Sequence, residues 1–428
     1  MLCGVSLSPR RPRFFYGWVL VAAAFVSGAV SNGVAFWAFG AFAVPMTTEL
    51  GWSRSAYLAA MTIRSVLSGL MAPLLGPWQD RRRGPQLILL GSAVTLGLAI
   101  LGLSAVTELW QLYALYGVLG SFSVIGANDM LSGTVVPKWF VRRRGLALSL
   151  ATSGTAMGAL LAPAVVAILL SFTTWQNGWL ILSLVTLVVL ATLSFFIRTR
   201  PEDIGLLPDG ADAPPPPMSG QPVAPRSPEE AVFTRSEAMR SPAFWLIVVG
   251  WSLSSIGLGG FQIQWLPYFS DLGFTRQDAA FAATAYGLGS VSGRFLWGVF
   301  TPRYSVRHLL AAQSLLTAFS VVLFIVVIVD VPTLVLASGF HGLMIGGFFL
   351  LRPLNLANYF GRQNLGAVSG SVRPFVTVAN AFGPVCIGAF YDLFGTYTWA
   401  FWVVVGCWVV AAGASYLAKE PVRAPPGR

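Results

Sequence analysis

The chain has 428 residues, of which 55% are hydrophobic and only 10% are charged, and its formal net charge is +11. Soluble domains carry about 25% charged residues, so this composition excludes a soluble globular fold. Apolar runs of about 20 residues, the length that crosses a bilayer as a helix, recur along the chain. No alternating pattern of about ten residues indicates a membrane barrel. We therefore predict an all-α integral membrane protein.

The positive charge is distributed unevenly between the loops. Each loop is numbered here by the helix that precedes it. Among the basic residues, only Arg54 and Arg276 lie in odd-numbered loops. Examples from the even-numbered loops and the N-terminus are Arg10, Arg11, Arg13, Arg81 to Arg83, Lys138, Arg142 to Arg144, Arg303 and Arg362. This positive-inside bias predicts that both termini are cytoplasmic, and it disfavours nucleic acid as a partner. Because no small-residue cleavage site follows it, the first helix is expected to be a retained anchor.

The apolar segments predict twelve helices. Helix 5 follows a basic loop and ends near Phe172. The others cover residues 16–42, 54–75, 85–106, 109–136, 178–197, 242–269, 276–300, 306–329, 332–358, 364–391 and 396–417. Ser53 is the predicted N-cap of helix 2. The spacing of Gly154 and Gly158 predicts close approach of helix 5 to a neighbouring helix.

One long polar segment separates two sets of six helices. It contains Pro214 to Pro217, several acidic residues and few apolar ones, which predicts a flexible linker. The predicted organisation is a cytoplasmic tail (1–13), an N-terminal six-helix half (14–197), a cytoplasmic linker (198–241), a C-terminal six-helix half (242–417) and a cytoplasmic tail (418–428).

The two halves also repeat in sequence. A shift of 222 positions places Gly51, Arg54 and Gly76 on Gly273, Arg276 and Gly298. The loops have the same sidedness in both halves, as in parallel repeats related by an axis along the membrane normal. In such folds the substrate site lies at the repeat interface, near the middle of the membrane.

Five ionisable residues are predicted at one depth: Arg64, Asp129, Arg294, Arg352 and Arg373. At 1.5 Å per residue, each lies roughly 13–16 Å along its helix from the nearest basic loop residue used as a reference. Half of a ~30 Å hydrocarbon core is about 15 Å. Four arginines against one aspartate make this layer positive, and guanidinium groups suit carboxylates. The predicted cargo is therefore an organic anion.

The candidate substrate site is centred on Arg294, which shares one helix face with Tyr286 and Ser290. We predict that Arg294 holds an anion in a transport path; the alternative is a structural arginine that caps a helix or binds a lipid headgroup. Asn32, in the middle of helix 1, either lines the path or bonds another helix. The full set of substrate-binding candidates is Arg294, Arg373, Arg64, Arg352, Tyr286, Ser290, Asn380 and Gln264.

Proton coupling needs a titratable group, and arginine does not deprotonate. Asp129 and His341 are the candidates at membrane depth. Asp129 either takes up a proton when substrate competes for a neighbouring arginine, or forms a permanent salt bridge between helices. An anion exchanger would need neither role.

Several short segments resemble the major facilitator superfamily, over about residues 14 to 417. Its helix 2–3 loop motif is matched by Gly76, Asp80, Arg81 and Gly84. The bacterial branch of the monocarboxylate and oxalate–formate transporters is the most similar group, on Tyr16-Gly17-Trp18, Gly51-Trp52-Ser53-Arg54, Lys138-Trp139-Phe140 through Arg144-Gly145, and Arg200-Pro201-Glu202-Asp203-Ile204-Gly205-Leu206. The resemblance implies that Asp80, with Arg81 and Gly76, helps to lock the cytoplasmic side. It also implies that Arg294 binds the substrate carboxylate.

The chain departs from this group at several points, which include the additional arginines Arg64 and Arg352. Ser290 stands where some monocarboxylate carriers have aspartate, and helix 1 carries no lysine. Arg373 is the nearest candidate for a helix 11 lysine, and Gln264 stands where many bacterial relatives have histidine.

The resulting prediction is a major facilitator fold of twelve transmembrane helices that moves a mono- or dicarboxylate across a bacterial inner membrane by alternating access. Transport would be proton-coupled or an anion exchange. Its partners would be a small organic anion, protons and membrane lipid, and it would work as a monomer. No enzyme activity, cofactor, metal or nucleic acid is expected. The alternatives are an efflux carrier for amphipathic compounds and a transport-like membrane sensor.

Overall fold

The computed structural model describes residues 14–210 and 232–421, and their regular structure is helical. The described residues form twelve long helices, α1 to α12, and several shorter ones. They are α1 (Gly17–Ala41), α2 (Arg54–Leu75), α3 (Gly84–Leu103), α4 (Leu109–Trp139), α5 (Arg144–Phe172), α6 (Trp175–Phe196), α7 (Pro242–Ile263), α8 (Arg276–Phe300), α9 (Val306–Val326), α10 (Val331–Phe360), α11 (Leu365–Phe394) and α12 (Tyr397–Leu417). The predicted all-α membrane fold is confirmed.

Within the described residues, eleven helices are long and apolar enough to cross a membrane. The remaining one, α8, has 25 residues. At 1.5 Å per residue it is about 37 Å long, which is sufficient for a bilayer. Its hydropathy is lower because it carries Arg276, Asp278 and Arg294 together with many glycine and hydroxyl residues.

Polar caps define where several helices begin. The Ser53 hydroxyl accepts a hydrogen bond from the Ala56 amide at 3.2 Å, so the predicted N-cap of α2 is confirmed. Asp330 caps α10 in the same way, with its carboxylate accepting from the Thr333 amide at 2.9 Å. Hydrogen bonds from the Thr333 hydroxyl and amide lower the pKa of the Asp330 carboxyl. Such caps satisfy amide groups that have no partner inside the helix.

Three helices are irregular at membrane depth. Wider, π-helical turns occur in α1 at Gly33–Ala38 and in α4 at Tyr113–Leu119 and Ile125–Val135. α7 ends at Ile263, and a short helix, Trp265–Asp271, continues beyond Gln264. Wider turns of this kind are frequent at functional sites. The side chains of Asn128 and Asp129, in the longest of them, lie outside the described structure.

Close backbone contacts pack the bundle. A side chain at Gly154 would meet the backbone of Phe25, and one at Gly158 would meet the backbone of Ala29. The predicted close approach of α5 is therefore confirmed, and its partner is α1. Other packed pairs are α8 with α10, α7 with α11, α9 with α12, and α3 with α6. The helices α2 and α5 pack against α11 and α8, respectively, across the predicted boundary between halves.

The predicted linker is partly helical where it is described. Pro201–Ile204 forms a short turn of helix, and Arg235–Arg240 forms another before α7. The proline run at 214–217 lies outside the described residues. The segment 198–210 lies beside the loops 80–84, 138–144 and 361–364; we call this part of the molecule the basic end.

Candidate functional site

Arg294 lies on α8 and is only 2% exposed. Its Nη1 donates to the Ser290 carbonyl and to the Ser290 hydroxyl, both at 3.0 Å. Its Nη2 donates to Thr155 Oγ1 on α5 at 3.3 Å. The guanidinium also lies 5.3 Å from the centre of the Phe349 ring on α10. Three helices therefore hold this one side chain.

The partners of Arg294 do not balance its charge. Each hydrogen-bond acceptor described for it is a neutral oxygen, and its buried Nε has no hydrogen-bond partner in the described structure. A buried charge is costly unless an opposite charge and hydrogen bonds accompany it. A carboxylate that reached the guanidinium would supply both, so the geometry is suited to binding an organic anion.

Thr155 connects Arg294 to α1. The side-chain amide of Asn32 donates to the Thr155 carbonyl at 2.8 Å, so Asn32 bonds another helix. Sequence reasoning missed Thr155, although it lies between the two glycines that predict close packing of α5. Its hydroxyl becomes significant only because Arg294, 139 residues away in sequence, donates to it.

Tyr286 lies about two helical turns before Arg294 on the same face of α8. Gln262 on α7 donates a hydrogen bond to the Tyr286 hydroxyl. The Tyr286 ring stacks on His341 with ring centres 6.0 Å apart, and it meets Trp265 edge-on at 5.0 Å. Ser290 therefore contacts Arg294 directly, as the helical spacing predicts, whereas the described contacts of Tyr286 are with Gln262, Trp265 and His341.

His341 is enclosed by aromatic rings. Its Nδ1 lies 2.7 Å from the Ser320 hydroxyl, and it is 1% exposed. Phe261, Trp265 and Phe324 lie 5.0 to 6.0 Å from it, measured between ring centres. This apolar enclosure disfavours a positive charge on the imidazole.

The other candidate arginines occupy different surroundings. Arg64 donates to the carbonyls of Ala35 at 3.0 Å and Gly120 at 3.3 Å, and lies 5.2 Å from the Tyr116 ring. Arg352 lies 4.5 Å from the rings of both Trp251 and Phe348. Arg64 is thus held by α1 and α4, and Arg352 by α7 and its own helix.

Two further candidates, Arg373 and Asn380, lie on α11, and Gln264 lies just after α7. Arg373 is half-buried, on a helix that packs against the Ile125–Val135 segment of α4. The Asn380 amide donates to the Ser255 carbonyl on α7 at 3.1 Å. The Gln264 side chain accepts from the Tyr397 hydroxyl at 3.4 Å. The described contacts of Asn380 and Gln264 join helices of the C-terminal region to one another.

Asp80 lies at the basic end and contacts both predicted halves. Its Oδ1 accepts from Lys138 Nζ at 2.6 Å and from the Gly366 amide at 3.0 Å, while its Oδ2 accepts from the Ala367 amide at 2.9 Å. Since α11 begins at Leu365, the carboxylate caps the positive end of that helix dipole. Lys138, which is 0% exposed, was not among the predicted gating residues.

The other predicted gating residues have distinct contacts. A side chain at Gly76 would meet the Gly366 carbonyl, and one at Gly366 would meet the Gly76 carbonyl. Glycine at both positions therefore allows α2 and α11 to touch. Arg81 lies over the Trp78 ring at 4.7 Å, within its own loop. Glu202 adds a 2.7 Å ion pair with Arg362, which joins the segment after α6 to the loop before α11.

Long apolar helices arranged around buried polar side chains define a multi-pass membrane protein. This chain belongs to the major facilitator superfamily, whose family model matches residues 24–271 and again residues 263–428. The predicted family is thereby confirmed, and the superfamily consists of transporters rather than enzymes.

Monocarboxylate transporters are similar to this chain over most of its length. Monocarboxylate transporter 12-B of Danio rerio is 26% identical over 414 residues, which is 91% of this chain and 84% of that protein. Human monocarboxylate transporter 11 is 26% identical over 410 residues, 90% of this chain and 79% of that protein. The solved proton:xylose symporter XylE has a TM-score of 0.69 at 13% identity, covering 93% of this chain and 94% of its own, which supports the fold.

Proposed function

We propose that this protein is a secondary transporter of small organic anions, monocarboxylates or dicarboxylates, and that Arg294 binds the substrate carboxylate. The observation that carries the proposal is the buried guanidinium with only neutral partners. The substrate would supply the missing negative charge, and the planar guanidinium would fix its orientation. The names of the monocarboxylate transporter relatives support this substrate class.

Transport would proceed by alternating access around Arg294. In the described conformation the contacts of Asp80 would close the basic end, and the protein would be open toward the opposite side. Opening the basic end requires separating Asp80 from the amides of Gly366 and Ala367. Such a movement would also act on the hydrogen bond between Arg294 and Thr155, because these residues belong to opposite halves of the predicted repeat.

The basic end would face the cytoplasm of a bacterial cell, with both termini on that side of the inner membrane. The accumulation of arginines at this end supports that orientation.

Tyr286 and Ser290 would complete the substrate site beside Arg294, and Arg64, Arg352, Arg373, Asn380 and Gln264 would act from neighbouring helices. Asp129 would couple transport to protons. If transport is instead an anion exchange, Asp129 would take up no proton.

Flux into vesicles tests the substrate class. Purified protein reconstituted into vesicles should take up a labelled monocarboxylate, and excess unlabelled carboxylate should compete. The corresponding neutral amide should not compete, because it lacks the charge that Arg294 requires. Equal competition by the amide, or no uptake above that of protein-free vesicles, would contradict the proposal.

A further inference from the structure

A polar cavity lies at the basic end, between α3 and α6. It has a volume of about 550 Å³, and its lining includes Arg82, Arg83, Arg198 and one carboxylate, Asp203. Three guanidinium groups against one carboxylate give this cavity a positive charge. Phosphate groups are preferred ligands of clustered guanidinium groups.

The walls of the cavity are held by specific hydrogen bonds. Thr199, which is buried, donates to the carbonyls of Arg81 at 3.1 Å and Arg82 at 2.6 Å. Arg198 donates to the carbonyls of Phe195 and Ile197, both at 2.9 Å, so its guanidinium is fixed at the end of α6. The loop before α3 and the segment after α6 therefore form one unit.

The single carboxylate is already engaged. Asp203 Oδ2 accepts from the Arg200 amide at 3.1 Å, and its Oδ1 lies 3.9 Å from Arg82 Nε. The Arg82 side chain nevertheless remains 78% exposed. Arg83 is also exposed, so the carboxylate leaves these two arginines accessible to a further anion.

An apolar surface begins inside the cavity and continues away from it. Leu87 and Ile204 belong to the lining, and both are exposed. Further along α3, the exposed residues Val94, Leu98 and Leu101 follow Leu87 at helical spacing and share its face. A small free anion would not use this surface, whereas the acyl chains of a lipid would cover it.

We propose that this cavity binds the headgroup of an anionic phospholipid, with its phosphate held by Arg82, Arg83 and Arg198 and its acyl chains lying along α3. Basic pockets between helices at the cytoplasmic surface are suited to such headgroups. The site does not include Arg294. A test of lipid binding is therefore independent of which substrate is transported.

Native mass spectrometry of the full chain in detergent tests this proposal, with phosphatidylglycerol as the probe. The wild-type protein should retain phosphatidylglycerol in preference to phosphatidylcholine, which carries the same chains and no net charge. Replacing the three arginines (Arg82→Gln, Arg83→Gln and Arg198→Gln) should weaken the apparent Kd by about a hundredfold, at the usual contribution of each basic residue near a lipid surface. Millimolar inorganic phosphate should not displace the lipid.

The matched control removes three charges elsewhere at the same end. Arg142, Arg143 and Arg303 are all exposed, and replacing them with glutamine should leave phosphatidylglycerol binding unchanged. If the first triple variant does not fold, Arg83→Gln alone should weaken binding by about fivefold. Equal weakening in the control, equal retention of phosphatidylcholine, unchanged binding in the folded cavity variant, or displacement by phosphate would overturn the proposal.

Discussion

Thr155 Oγ1 accepts a hydrogen bond from Arg294 Nη2 at 3.3 Å, which joins α5 to α8. The two residues belong to opposite halves of the predicted repeat, and Asn32 on α1 donates to the backbone of the same threonine. A movement of one half relative to the other would therefore act directly on the orientation of the guanidinium.

Thr155→Val tests whether this hydroxyl positions Arg294. The variant leaves Nη2 buried without an acceptor, and the loss of one such hydrogen bond corresponds to about a tenfold change in affinity. We expect the KM for a carboxylate to rise by that factor. Thr155→Ser keeps the hydroxyl and should behave like the wild type. A valine variant with wild-type KM would show that Arg294 is positioned by its other contacts.

Asp80→Asn tests the closure of the basic end. The buried Lys138 would lose its carboxylate, which costs about 3 kcal/mol for a buried ion pair, and the cap of α11 would weaken. We expect a lower Tm and slower transport with unchanged selectivity among competing carboxylates.

The double variant Asp80→Asn/Lys138→Met is the control for that experiment. It removes the unpaired charge, so its loss of stability should be smaller than the sum of the two single losses. Additive losses would exclude energetic coupling between Asp80 and Lys138. Altered selectivity in Asp80→Asn would contradict a role confined to gating.

Gly366→Ala tests the contact between α2 and α11. The added methyl group would meet the Gly76 carbonyl, so we expect the basic end to open more often. Ser369 is half-buried on α11, and its hydroxyl donates to the Gly366 carbonyl. A cysteine at this position, in a background without the three native cysteines, should then react faster with a polar maleimide. Gly388→Ala is the matched control, since a side chain at Gly388 meets nothing within 4 Å. Equal labelling rates in both variants would refute this gating contact.

The sequence predicts the features that depend on residues close together in the chain. It predicts fewer of the contacts between residues that are far apart in the chain. Helix positions follow from apolar runs, and the Ser53 cap follows from its place before α2. Ser290 as a neighbour of Arg294 follows from helical spacing alone. Lys138 lies 58 residues from Asp80, and Gly366 lies 286 residues from it. Their roles arise only when the helices assemble, so neither residue is recognisable from its own segment.

Asp129→Asn tests proton coupling. If Asp129 takes up the proton, its replacement should stop accumulation driven by a pH gradient while carboxylate exchange continues. His341→Asn should retain pH-driven accumulation, because aromatic rings enclose the imidazole and disfavour its charged form. Normal pH-driven accumulation by a well-expressed Asp129→Asn protein would exclude Asp129 as the proton site. Loss of folded protein would indicate a structural salt bridge instead.

The most direct measurement is carboxylate uptake by the Arg294→Lys variant in reconstituted vesicles. Lysine keeps the charge but loses the planar fork and the simultaneous contacts with Ser290 and Thr155. We predict that the apparent affinity falls by about tenfold or more, while Arg303→Lys, an exposed position just beyond α8, transports normally. Wild-type affinity and rate in Arg294→Lys would contradict the assignment of Arg294 as the residue that binds the substrate.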